Sequence, residues 1–365
     1  MRIGVPTEIK QSEFRVAITP EGVRHLVSRG HDVIVQSGAG VGSNITDAHY
    51  ASAGATIGTT AEAVWSSAEL LLKVKEPLPA EYPHFRPDLI LFTYLHLAAQ
   101  PELTRALIDS GITAFAYETV QLPNGRLPLL APMSEVAGRL SVVVGANAML
   151  KPNGGSGILI SGVTGTSSAH VVILGAGIAG TSALIMAVGL GARVTVLDTN
   201  TARLAELAQQ YGETISTLVS TPGSIEEACV TADLVIGSVL VPGAKAPKLV
   251  SNALVAKMKP GSVLVDIAVD QGGCFEDTHP TTHDAPTFGV HNSLFYCVAN
   301  MPGAVPQTST EALTHATLSY IETLAQGWRT AIDADLALRA GLNTTGGALF
   351  NEGVGRAHGI AVASL

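Results

Sequence analysis

Short apolar runs alternate with amphipathic stretches along most of this chain. In the N-terminal third, runs at residues 2–7, 32–37, 70–75, 89–96 and 113–120 have the length and residue content of strands. Between them, residues 20–28, 61–68 and 101–109 carry helical spacing. Thr19 ahead of Pro20-Glu21 reads as an N-cap with proline at the first helical position. A turn at Pro123-Asn124-Gly125 interrupts the pattern, and a long helix over 132–150 follows. After a second break at residues 151–155, further strands fall at 234–238, 263–267, 287–291 and 295–299. A last long helix covers 310–331, and residues 335–365 are Gly- and Ala-rich with weaker patterning. Strands that alternate with helices predict an α/β protein with mostly parallel sheets.

One segment is more specific. An apolar run ends at Leu174 and meets Gly175-Ala176-Gly177-Ile178-Ala179-Gly180. A small-residue helix follows, then a second apolar run that ends in Asp198. This is the strand–turn–helix–strand unit that binds a dinucleotide. Gly175 permits the tight turn, Gly177 lets backbone approach a pyrophosphate, and Gly180 lets the helix pack close to the strand. Asp198 is placed to accept the hydroxyls of an adenosine ribose and to repel a 2′-phosphate, which favours NAD over NADP. Arg193 and Arg203 flank it and leave some room for NADP. The alternative is a glycine-rich turn that binds nothing.

The position of this unit, mid-chain, implies that the preceding residues do something else. The expectation is α/β, two Rossmann-like open parallel-sheet domains with an interdomain cleft. Residues 129–307 form the NAD-binding domain. Residues 1–128 plus 308–365 form a discontinuous substrate domain.

Composition narrows the class. Charged residues make up 14% of 365, against about 25% in typical soluble domains. So little charge predicts surface hidden in a homo-oligomer. The net charge of −9 argues against a nucleic-acid partner. Residues 152–192 contain no Asp, Glu, Lys or Arg, yet glycines and Pro152 interrupt them, and no membrane span is expected. The first residues carry no apolar signal core, and three scattered cysteines make no disulfide framework, so the cytoplasm is expected.

Ligands in open α/β sheets bind beyond the C-terminal ends of the strands. Lys75 and His96 end apolar runs there, Asp270 follows another, and Arg15 lies in the first loop. Each also has a purely structural reading. Arg15 could pair with Glu8 or Glu13, Lys75 could be solvated, His96 could be a satisfied structural group, and Asp270 could simply form its turn. A rival cluster, Cys274, His279, His283, His291 and Cys297, fits no common zinc spacing, and no metal is expected.

Longer motifs carry a family resemblance. MRIGVPTEIKQSEFRVAITP, LLLKVKEP, LFTYLHLA, LAPMSEVAGRL, LVIGSVLVPGAKAPKLV and VDIAVDQGGCFE with FYCVANMPGAVPQTST resemble the L-alanine dehydrogenase family over roughly residues 1–330. The resemblance implies reversible NAD-dependent oxidative deamination of L-alanine to pyruvate and ammonia, by a homo-oligomer that is commonly a hexamer. It implies that Arg15 holds the substrate carboxylate and Lys75 polarises the carbonyl. His96 would then act as general acid and base, and Asp270 would activate ammonia or water and stabilise the iminium. An imidazole, with an ordinary pKa of about 6.5, suits such work near neutrality. The cofactor site it implies comprises Ser134, Gly175, Gly177, Ile178, Ala179, Gly180, Asp198, Arg203, Ser220, Val239, Leu240, Ile267, Asp270, Val298, Asn300 and Met301. Tyr94, Glu118 and Met301 would support the catalytic groups.

The chain departs from the family pattern at His279, where relatives carry arginine near the cofactor, and the role of His279 stays open. Residues 321–328 lack the histidine with which some relatives hold a divalent ion, so no metal is expected there. Three other readings compete: the NAD-binding component of a nicotinamide nucleotide transhydrogenase, an opine-type dehydrogenase, and a redox-sensing NAD-binding regulator. The first needs no Arg–Lys–His substrate pocket, and the last need keep only the glycine turn.

Overall fold

The computed structural model describes residues 1–239 and 246–364. The chain forms two compact units, Met1–Met133 with Gly303–Leu365 and Ser134–Pro302.

The first unit holds β1 (Arg2–Val5), β2 (Asp32–Gln36), β3 (Thr56–Gly58), β4 (Leu70–Leu72), β5 (Ile90–Thr93) and β6 (Thr113–Ala116). All six are parallel, in the order β3-β2-β1-β4-β5-β6. The connecting helices start where local chemistry dictates. Thr19 accepts a hydrogen bond from Gly22 N at the head of Pro20–Ser28, and Gly111, with φ of 71°, closes Pro101–Ser110.

The second unit holds β7 (His170–Leu174), β8 (Arg193–Asp198), β9 (Ile215–Val219), β10 (Leu234–Gly237), β11 (Val263–Asp266), β12 (Thr287–Val290) and β13 (Ser293–Tyr296). Their order is β12-β13-β11-β10-β7-β8-β9, with only β12 antiparallel. β7, β10 and β11 are buried along their whole length, as a sheet covered on both faces requires.

The last residues return to the first unit as β14 (Leu342–Thr345) and β15 (Ala348–Leu349), a hairpin antiparallel to β6. Gly346 and Gly347 turn it, with φ of 56° and 82°, the positive values a two-residue hairpin turn needs.

Each unit is therefore Rossmann-like, with six parallel strands in the doubly wound order and one switch point. In the first unit that point lies between β1 and β4. In the second it lies between β7 and β10. Some elements differ from the sequence pattern. The expected helix over 310–331 runs as Pro306–Ala325 and stops at Gly327, whose φ of 136° breaks it before Trp328–Ala334. β4 and β5 end at Leu72 and Thr93, so Lys75 and His96 lie beyond the strands. The pairing there continues through Lys73 N to Phe92 O and Tyr94 N to Val74 O. Among the described residues no helix is long and apolar enough to cross a membrane. The charge-free stretch is spent on loops, β7 and the twelve-residue helix Ile178–Gly189.

Candidate active site

The switch point of the first unit gathers charge that the sheet buries. Arg15, in the loop after β1, donates from Nε to Glu13 Oε1 at 2.7 Å and from Nη2 to Glu13 Oε2 at 2.6 Å. Its backbone N also donates to Glu13 Oε1 at 3.1 Å, and Nη1 meets Met133 Sδ at 3.0 Å. Both members of this pair are buried. Burial pulls the guanidinium pKa down, but Glu13 outweighs it and the pKa is raised. The loop is pinned by Val16 N to Thr310 Oγ1 at 3.1 Å and by Ser43 Oγ to Phe14 O at 3.0 Å.

A second buried group stands behind. Lys73 Nζ lies 3.0 Å from Glu8 Oε2 and 2.9 Å from Glu81 Oε1, and Glu8 Oε1 accepts from Val74 N at 2.6 Å. Burial raises the Glu8 carboxyl, more than Lys73 and Val74 N lower it. Burial lowers Lys73, but its two carboxylate partners outweigh that and its pKa is raised. Two residues further on, Lys75 is buried, and its carbonyl accepts from Thr93 Oγ1 at 2.9 Å.

Next to it, Glu76 joins the groups of this site. Burial raises its carboxyl, but Lys75, a hydrogen bond from Lys10, and His96 together bring its pKa below the ordinary value. His96 follows β5 in the left-handed region, with φ of 50° and ψ of 36°. Glu118 stabilises that turn by accepting from Leu95 N at 3.1 Å and from His96 N at 2.6 Å. The imidazole stacks on Tyr94 with rings 5.8 Å apart and 7° from parallel, and the Tyr94 hydroxyl donates to Leu129 O at 2.6 Å. Burial pushes the Tyr94 phenol well up, against the charge of Arg15. Arg15, Lys75 and His96 are thus gathered at one end of one sheet.

The switch point of the second unit is the glycine turn. Gly175 has φ of 102°, and a Cβ there would stand 3.0 Å from Val239 Cγ2. Gly177 caps the helix Ile178–Gly189, and a Cβ on it would meet nothing within 4 Å, so its face is open to a pyrophosphate. Gly180 has no such room. A Cβ there would collide with the Gly175 carbonyl and stand 2.7 Å from Ser238 Oγ. The residues fit a dinucleotide on these counts.

Asp198 turns out to brace the turn as well. Its Oδ2 accepts from Ala176 N at 2.6 Å and its Oδ1 from Asn200 N at 2.8 Å. Arg203 wraps the same turn, with Nε donating to Ala176 O at 3.2 Å and Nη2 to Thr181 Oγ1 at 2.9 Å, while Nη1 pairs with Glu206 at 2.6 Å. Ser220 follows β9 and donates from N to Asp198 O at 2.9 Å. Ile267 N donates to Gly237 O at 2.9 Å, and Asp270 is exposed on the one-turn helix Val269–Gln271. Ile178 is exposed and Ala179 half-buried in the first turn of the glycine-capped helix. Val298 and Met301 are buried, the carbonyl of Asn300 lies 2.9 Å from His283 Nε2, and Ser134 sits in the first turn of Ala131–Ala148. Leu240 lies outside the described residues.

Sequence patterning passed over Lys73, Glu76, Glu81 and Asp266, which it read as parts of strands or loops. It offered Glu8 and Glu13 as partners of Arg15; Glu13 takes that place, and Glu8 goes to Lys73. Among the described residues no group of three or more His, Cys, Asp or Glu could hold a metal ion. His279 lies on the Phe288 ring at 3.8 Å, His291 Nε2 is 2.9 Å from Asn252 Oδ1, and Glu322 is paired with His25 and Arg29.

Two doubly wound sheets, one carrying a glycine turn at its switch point that fits a dinucleotide, define an α/β protein of Rossmann type. Its residues 4–137 match the model of the alanine dehydrogenase/PNT N-terminal domain, and residues 141–352 match that of the C-terminal domain. The chain belongs to the alanine dehydrogenase/PNT family. It is 59% identical over 355 residues to an alanine dehydrogenase of Mycobacterium tuberculosis (strain CDC 1551 / Oshkosh), covering 97% of this chain and 96% of that one. It is 55% identical over 359 residues to an alanine dehydrogenase of Bacillus subtilis (strain 168), covering 98% and 94%. A solved L-alanine dehydrogenase superposes with a TM-score of 0.96 at 50% identity, over 99% of this chain and all of that one. A transhydrogenase from Sinorhizobium meliloti matches at 0.81 and 27%, over 96% and 99%.

Proposed function

We propose that this protein is an enzyme that catalyses the reversible oxidative deamination of L-alanine to pyruvate and ammonia with NAD. The observation that carries the reading is the gathering of Arg15, Lys75 and His96 at the switch point of the first unit. A transhydrogenase has no use for such a set, and its likeness is much the weaker.

The discontinuous unit supplies the substrate chemistry, and Ser134–Pro302 supplies the cofactor site. Arg15 binds the substrate carboxylate. Glu13 holds its Nε–Nη2 edge, so the ion pair orients the guanidinium. Lys75 polarises the C2 oxygen of pyruvate. His96 takes and returns a proton at that oxygen. Asp270 stabilises the positive nitrogen at C2 and steers ammonia or water. Bound NAD supplies the hydride acceptor. Gly175, Gly177, Ile178, Ala179 and Gly180 hold its pyrophosphate, and Asp198 its adenosine ribose. Ser134, Arg203, Ser220, Val239, Ile267, Val298, Asn300 and Met301 complete its site. The charge-poor composition suits a homo-oligomer, with a hexamer the state to look for by sedimentation, and a cytoplasmic location is expected.

NADH absorbance in a mixture of the protein, NAD and L-alanine at alkaline pH tests the reading. No signal in either direction overturns it. Two variants test the roles. Arg15→Lys cannot keep both bonds to Glu13 while meeting a carboxylate edge, and its KM for pyruvate rises about 10- to 100-fold. An unchanged KM removes Arg15 as the clamp. Asp198→Ala loses both the ribose acceptor and the bond to Ala176 N. Its KM for NAD rises by roughly tenfold, and its preference for NAD over NADP narrows. A wild type that prefers NADP contradicts the assignment of Asp198.

A further inference from the structure

The segment after β11 is built around one buried carboxylate. Asp266, the last residue of β11, is fully buried. Its Oδ2 accepts from Cys274 N at 2.8 Å, Phe275 N at 3.3 Å and the Thr278 hydroxyl at 2.6 Å. Its Oδ1 accepts from Ala268 N at 3.1 Å. These donors come from the two ends of the segment 267–278, so the carboxylate ties its start to its finish. Asp270 stands on the turn between them.

The backbone passes directly over this group. Gly272 and Gly273 have φ of 91° and 76°, and a Cβ on Gly273 would stand 2.5 Å from Asp266 Oδ2. The far end of the segment packs on β10, where a Cβ on Gly237 would stand 2.8 Å from the Phe275 ring and 2.9 Å from Cys274 Cβ. Burial raises the Asp266 carboxyl, while the four donors aimed at its two oxygens favour the ionised form.

We propose that Asp266 is a positioning residue for the deamination, which fixes the turn that carries Asp270. The inference rests on the role given to Asp270 above. An asparagine at 266 would turn an amide NH2 toward donors that need an acceptor, so the segment must shift. A shift of about 1 Å in a reacting group costs on the order of 100-fold in rate. The glycine turn and Asp198 lie on other loops, and of the residues given to the cofactor only Ile267 and Asp270 belong to this segment, so most of the grip on the cofactor is spared.

Steady-state kinetics, NADH fluorescence titration and thermal unfolding of Asp266→Asn, Thr278→Val and Thr278→Ser test this beside the wild type. Expected are a kcat lowered on the order of 100-fold in Asp266→Asn and about tenfold in Thr278→Val, with NADH affinity close to that of the wild type. Thr278→Ser keeps the hydroxyl and restores kcat. In an Asp270→Asn background, Asp266→Asn adds little further loss, because both act through one group. A full-sized further loss in that background, or an unchanged kcat in the folded variants, overturns the proposal. Should Asp266→Asn fail to fold, the Thr278 pair decides alone. A wild type without alanine turnover defeats the assignment of function, and that result is read before any variant.

Discussion

Replacing His96 with asparagine lowers kcat for alanine by about 100- to 10,000-fold, the range that one general acid–base group supplies. NADH binding, read by fluorescence, stays near the wild-type value, because His96 belongs to the substrate unit. Asparagine is the informative substitute. His96 sits in the left-handed region, with φ of 50°, and among residues other than glycine asparagine adopts that conformation most readily. Alanine there would add about 1–2 kcal/mol of backbone strain and confuse a chemical loss with a folding loss. The Glu118 carboxylate still accepts from the backbone N of Leu95 and of residue 96, so the turn survives while the ring goes. A kcat within about tenfold of the wild type would remove His96 as the proton carrier.

Replacing Lys73 with methionine has the largest expected effect on stability. Lys73 is buried between Glu8 and Glu81, at 3.0 and 2.9 Å. Removing the cation leaves two carboxylates in the interior without their counter-charge, which costs about 3–5 kcal/mol. At roughly 2–4 °C per kcal/mol for a unit of this size, the midpoint of unfolding falls by about 6–20 °C. The deficit depends on pH with a definite sign. Burial already raises the Glu8 carboxyl above its ordinary value with Lys73 present, and the loss of Lys73 raises it further. A carboxyl whose folded pKa is raised favours the fold while protonated. That favour is complete below the unfolded pKa and is lost as pH rises through the folded one. The gap between Lys73→Met and wild type therefore narrows as the pH is lowered from neutral toward the ordinary carboxylate range, and widens above it. A triple variant, Glu8→Gln with Lys73→Met and Glu81→Gln, recovers much of the loss, because the charges vanish together. Equal midpoints for Lys73→Met and wild type across that range would show that the buried group does not carry the stability assigned to it.

Much of the candidate site was legible before any fold, and the reason is locality. The glycine turn, its helix and Asp198 span one strand–helix–strand unit whose spacing is set by chain geometry alone. Arg15, Lys75, His96 and Asp270 stood out because they follow strand-like runs, where open α/β sheets bind their ligands. β3, β9, β14 and β15 did not stand out. They are short or lie toward the edges, and their residues carry no clean alternation.

The sequence by itself determined the class of fold, the cofactor turn and four polar candidates, because each depends on residues close together in the chain. Only the tertiary structure decided what surrounds them. Glu13 rather than Glu8 pairs with Arg15, because Glu8 is drawn to Lys73 across the sheet. Glu118, from the loop after β6, fixes the turn of His96. Asp266 became a hub once the segment 267–278 folded back and brought four donors onto it. A buried charge takes its partner from whatever the packed elements bring near, and sequence spacing does not encode that meeting.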